Sequence, residues 1–207
     1  IVAASSTLML VMNTGGKTWA WLSKEIVTLG VVSALLWILF FLRLMRAAEP
    51  LIPLGILRNP VVRCAIVANS FGWAAMIGLN IYLPLYLQSE LGQTPSESGV
   101  NLIVLMVTIN ASALVGAQVA ARMEHYKFYP LITLFICILS IGWLALRVDT
   151  LSMLEFELVL TLAGLGFGPV APVSSVALQN AVMMHQLGTA VSVMSFARSL
   201  FAAVLVA

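Results

Sequence analysis

The sequence predicts an all-α, polytopic membrane protein: a transmembrane helix bundle of about six to seven spans. Three observations carry this expectation. Of the 207 residues, 61% are hydrophobic and only 9% are charged, where an ordinary soluble domain carries roughly 25% charged residues. A chain of 22.2 kDa has too little interior to hide that much apolar side chain from water. The uncharged stretches are also continuous over about 20 residues, the length a helix needs to cross roughly 30 Å of hydrocarbon. A membrane barrel would instead alternate in pieces of about ten.

The elements follow in order. Ile1 to Val11 is apolar, with no basic segment before it and no small-residue cleavage site, so it reads as the end of a truncated span rather than a signal peptide. The chain starts at Ile1, and its last apolar stretch reaches Ala207 without a polar flank, so we expect an internal piece of a longer protein. Ile26 to Leu42 is the first full span, with Trp37 and Arg43 suited to an interfacial end. Cys64–Ser89, Ser98–Ala121 and Phe128–Leu146 follow, each free of charge. Leu158–Met184 is longer than a span needs, so its end is expected in a loop, and Gln186–Ala207 is interrupted only by Arg198.

Charge between the spans sets direction, because basic loops stay cytoplasmic. One alternate set of loops holds six basic residues, Arg43, Arg46, Arg58, Arg63, Arg122 and Lys127, and also His185. The other holds three, Lys17, Lys24 and Arg147, among Glu90, Glu97, Asp149, Glu155 and Glu157. The first set is therefore expected in the cytoplasm.

Several function classes lack support. A net charge of +2 from ten basic and eight acidic residues gives no basic stripe for nucleic acid. Cys64 and Cys137 sit in apolar runs, where cysteine acts as a small hydrophobe, so neither disulfide nor metal is implied. His125 and His185 fall in predicted loops without metal-site spacing, and G-x-S-x-G does not occur. No enzyme, cofactor or metal site is expected.

The densest motif is the Gly164-Leu165-Gly166-Phe167-Gly168-Pro169-Val170-Ala171-Pro172 run. A dinucleotide loop would need a preceding strand and a third glycine where Pro169 stands. In a membrane helix, glycine permits close approach and proline permits bending. Gly164, Gly166, Gly168, Pro169 and Pro172 thus read either as a kinked packing element or as a flexible element beside a transport pathway. Arg198 lies well inside an apolar segment, where a charge should face the bundle interior or a watery cavity and find a partner, or, if the span sits at another depth, snorkel to an interface. Asn69, Trp73, Met76 and Asn80 are spaced four, three and four apart and share one helical face. That face suits a substrate path or, equally, interhelical hydrogen bonding; Asn101 and Asn110 carry the same two readings. Pro84 is expected to bend its span.

Certain strings go further. Glu49-Pro50-Leu51-Ile52-Pro53-Leu54 with Leu57-Arg58-Asn59, then Leu83-Pro84-Leu85-Tyr86-Leu87-Gln88, then Gly92 with Ser96-Glu97-Ser98-Gly99, then the glycine/proline run with Gln179, occur in register. Together they resemble the fourteen-span drug:proton antiporters of the major facilitator superfamily, the EmrB/QacA type, along almost the whole chain. The resemblance implies a partial major facilitator fold. Residues 1–42 would be the end of one span plus one full span, the extra central pair; 43–63 a cytoplasmic loop; and 64–207 a C-terminal transporter half truncated in its last spans. Asn69–Asn80 and Gly164–Pro172 would face the central cavity, and Phe128–Leu146 would be peripheral. The family's cytoplasmic glycine–acid–arginine–glycine motif is represented mainly by Arg122, with Ala121 in place of the acid and Glu124 in place of the glycine. Gly188, Ala190 and Arg198 match the last span, where Phe201-Ala202 replaces a glycine pair.

Proton antiport requires an ionisable group of alternating access, usually a buried carboxylate. None lies at mid-depth here, so the coupling carboxylate is expected in the missing N-terminal half of the same chain. The implied partners are the lipid bilayer, protons and a small amphiphilic substrate, and the implied location is a bacterial inner membrane. The residues alone also fit a non-transporting structural or sensory membrane module, or an uptake carrier of the same superfamily.

Overall fold

The computed structural model describes residues 2–46, 54–123, 126, 128–147 and 152–206. Among them the chain forms helices α1 (Val2–Thr14), α2 (Lys24–Arg46), α3 (Leu54–Arg58), α4 (Pro60–Ser89), α5 (Pro95–Arg122), α6 (Phe128–Arg147), α7 (Met153–Phe167), α8 (Val170–Asn180) and α9 (Leu187–Val206). A single 3₁₀ turn, Met184–Gln186, carries His185 into α9. Among the described residues, six helical stretches are long and apolar enough to cross a membrane: α2, α4, α5, α6, α7 continued by α8, and α9 with its 3₁₀ turn. The 13-residue α1 is shorter.

The helices outrun the uncharged windows, because a backbone ladder does not stop where hydrocarbon ends. The largest difference is at α7, which starts at Met153 rather than Leu158 and so takes Glu155 and Glu157 into its first turns. A capping box explains it. The Ser152 hydroxyl accepts the Glu155 N–H at 3.4 Å, and the Glu155 carboxylate accepts the Ser152 N–H at 2.9 Å, which satisfies two donors that would otherwise be orphaned. Thr94 and Glu97 start α5 in the same way, at 3.3 and 2.9 Å, with Pro95 in the first position. Asn59 Oδ1 accepts the Val61 N–H at 2.9 Å beside Pro60 at the start of α4. The segment expected as a 43–63 loop is largely helical where described: Arg43 and Arg46 end α2, and Arg63 lies in α4. Residues 47–53, with most of the first family string, and Glu124, His125, Lys127 and Asp149 lie outside the described residues. At the far end, α8 stops at Asn180, so the long apolar window does run into a loop.

Two compact units emerge. The first, Ile1–Ala74 with Ala181–Ala207, holds α1 to α3, the first half of α4, and α9. Here α1 packs on α2 and α9, and Phe71 meets Phe201 edge to face at 5.1 Å. Asn59 Nδ2–H donates to the Ala181 carbonyl at 3.1 Å, tying the start of α4 to the turn before α9.

The second unit, Ala75–Asn180, holds the rest of α4 and α5 to α8. Its core is Leu83 and Leu87 of α4, Leu105 and Ile109 of α5, and Phe156 and Leu160 of α7. Lipid tails are as apolar as leucine, so this core is held by close packing more than by escape from water. Contacts pair Thr108 with Gly164 and Gly116 with Pro169, so α5 and α7 run parallel, while Cys137 and Thr133 of α6 meet Gly166. That order follows from threading in, out and in through a membrane.

Candidate functional site

The glycine run is a packing seam. A Cβ on Gly164 would sit 2.9 Å from Thr108 Cβ, and one on Gly168 2.5 Å from the Ile109 carbonyl oxygen, both on α5. A Cβ on Gly166 would run into Cys137 Cβ of α6. At 3.6 residues per turn, positions 164 and 168 are about 40° apart and 166 points about 200° away. The alternation therefore opens both flanks of α7 at once, and backbone reaches backbone on either side. Gly116 of α5 completes the seam against Pro169.

Pro169 interrupts the ladder between α7 and α8. The Gly168 N–H still reaches the Gly164 carbonyl at 3.1 Å with helical dihedrals, so the chain does not unwind there. Proline has no N–H, which leaves the carbonyl four residues back, Leu165, without its helical donor. Ser112 of α5 supplies one: its hydroxyl donates to the Leu165 oxygen at 2.7 Å. In a membrane such a rescue is the condition for a broken helix. Pro169 is fully buried, and Pro172 lies half-buried in the first turn of α8.

Arg198 sits on α9, eleven residues past Leu187 and eight before Val206. Its guanidinium carbon lies 4.4 Å from the centre of the Trp73 ring on α4. This cation–π contact contributes about 2 kcal/mol or more where water is excluded. Spacing placed Trp73 on a polar face of its own helix, but nothing local linked it to a residue 125 positions later. One turn below, Ser70 is completely buried with its hydroxyl unpartnered, and Asn69 beside it is 3% exposed.

Met76 and Asn80 also lie on α4, further along. Met76 packs against the second unit's core. Asn80 Nδ2–H donates to the Met76 carbonyl of its own helix at 2.8 Å, and Asn110 does the same to Met106 at 2.7 Å. Neither donor bridges helices. Asn101 reaches off its own helix only to the preceding α4–α5 loop, donating to Gln93 Oε1 at 3.0 Å. Around this pair an open cavity of about 390 Å³ is lined by Leu91, Gln93, Glu97 and Met153 among others. Sequence reading missed it; the two S/T-x-x-E capping strings and Gly92, whose φ is +64°, were its signals. Arg122 is exposed in the last turn of α5, and Pro84 lies within α4, which continues to Ser89. Among the described residues no group of three His, Cys, Asp or Glu could hold a metal.

Spans of this length and apolarity, one of them broken at a proline whose orphaned carbonyl a neighbouring helix satisfies, make this an integral membrane helix bundle. The sequence pattern of the Major Facilitator Superfamily matches residues 1–206, and the chain belongs to that family. It is 27% identical over 198 residues to the multidrug transporter protein MdtP of Bacillus subtilis, covering 94% of this chain and 36% of that protein. It is 26% identical over 186 residues to the efflux pump aflT of Aspergillus parasiticus, covering 88% and 36%. To a tetracycline resistance determinant of Streptomyces rimosus it is 28% identical over 184 residues, covering 88% and 53%. The chain thus spans between about a third and about half of the length of these curated relatives.

Proposed function

We propose that this chain is the C-terminal portion of a fourteen-span, proton-coupled exporter of small amphiphilic solutes, working by alternating access in a bacterial inner membrane. The observation that carries the reading is Arg198 braced on Trp73 deep within a span, since a charge is kept there for function rather than for stability. Relatives named as a multidrug transporter and an efflux pump support export. Asn69, Trp73 and Arg198 line the solute path, and Met76 and Asn80 continue the same face of α4. Gly164, Gly166, Gly168, Pro169 and Pro172 form the element about which the half rearranges, and Arg122 contributes to the cytoplasmic gate. Protons are the coupling ion, and the carboxylate that carries them lies in the N-terminal half.

The test uses the full-length parent in inverted membrane vesicles, with ethidium export driven by a pH gradient. Arg198→Gln should abolish export. Glu90, Glu97, Glu155 and Glu157 replaced together by glutamine should leave coupling intact, because glutamine still closes both capping boxes. Loss of coupling at normal expression would move the proton site into this half; absence of any export by the unaltered parent would favour a sensory or structural membrane module.

A further inference from the structure

Arg198 has a partner for its charge but, among the described residues, none for its buried Nε–H donor. Among the described residues the Trp73 ring is the only group the guanidinium engages, and its buried Nε–H has no acceptor. An aromatic face offers a quadrupole but no lone pair, so the ring leaves the buried Nε–H in the guanidinium plane unsatisfied. In hydrocarbon that omission is expensive. Lysine or glutamine would suffice for snorkelling or for packing. What a planar cation stacked on an indole does better is present a fixed, bidentate edge to a carboxylate. Ser70, completely buried with an unpartnered hydroxyl, precedes Trp73 by three residues and adds a donor on the same face of α4.

We propose that Arg198, held by Trp73, is the subsite for an anionic oxygen group, a carboxylate carried on an otherwise apolar, aromatic solute. The inference rests on the exporter reading for its setting and deepens it by naming a substrate class: amphiphilic acids, in addition to cations such as ethidium. Trp73 is then a positioning residue for the guanidinium as well as a stacking surface for the solute's ring.

The experiment measures equilibrium binding to the purified full-length transporter in detergent by calorimetry, with 2-naphthoate and its uncharged isostere 2-naphthamide. The acid should bind at least about tenfold more tightly than the amide, the difference expected of a charge-assisted pair. Arg198→Gln should level the two. Arg198→Lys, which keeps the charge and is the milder change to folding, should retain part of the preference, and Trp73→Phe should weaken it without abolishing it. Equal binding of acid and amide by the unaltered protein overturns the proposal, and is the result an acidic side chain already seated on Arg198 would give. A preference that survives Arg198→Gln overturns it as well. Ethidium export from inverted vesicles separates the two readings: export with equal acid and amide binding removes the Arg198 subsite alone, whereas an acid preference without export removes the exporter reading alone.

Discussion

A single methyl group at position 166 has nowhere to go. Gly166→Ala would place a carbon against Cys137 Cβ and the Thr133 carbonyl, both within 2.5 Å, and neither is the free end of a flexible side chain. We expect a destabilisation of about 1–3 kcal/mol, typical of overpacking, seen as a lowered thermal unfolding midpoint in detergent. Gly142→Ala on α6 is the contrast: nothing lies within 4 Å of its Cβ position, so the midpoint should hold or rise slightly. Ser112 gives a second residue-level test. Ser112→Ala strands the Leu165 carbonyl and should cost about 1–3 kcal/mol. Pro169→Ala restores the missing helical N–H, so in the double variant the loss from Ser112→Ala should shrink, a coupling that a double-mutant cycle reads directly. At this scale the sequence revealed faces but not partners. The three-four spacing of Asn69, Trp73, Met76 and Asn80 is a property of one helix and could be counted. The meeting of Trp73 with Arg198 is a property of the bundle and could not.

The close contacts at Gly116, Gly164, Gly166 and Gly168 make the run a packed seam, and Pro169 makes the same seam the place where the ladder is weakest. Motion can be tested by pinning it. Gly116→Cys with Pro169→Cys, in a background of Cys64→Ser and Cys137→Ser, joins α5 to the α7–α8 junction on oxidation. If the junction moves during transport, oxidation should cut export at least about tenfold and reduction should restore it; unchanged export would mark a static brace. The spans themselves were legible because about 20 uncharged residues in a row have one physical explanation. Their ends were less so. Glu155 and Glu157 read as the edge of the hydrocarbon, whereas Ser152 and Glu155 close a capping box that lets α7 begin before the apolar run does.

For the molecule in its membrane, the charge count assigns sides, and impermeant labelling checks it. In a protein free of its native cysteines, Gly92→Cys should react with a membrane-impermeant maleimide on intact cells, and Met184→Cys only after permeabilisation. The reverse pattern would invert the topology. At the two kinds of helix end, Arg147 stacks over Trp143 at 5.2 Å where α6 stops, and Arg43 and Arg46 lie in the last turn of α2.

The length of α4 has its own outcome. Thirty residues of unbroken helix rise about 45 Å, half as much again as the roughly 30 Å of acyl chains. Tilt alone absorbs only part of that mismatch, so at least one turn must stand clear in the headgroups or in water. Arg63 fits the protruding end. A helix with slack at its rim can lean further in a thin bilayer and stand straighter in a thick one while its indole keeps the same neighbour, which makes the depth of that contact a matter of protein packing rather than of lipid.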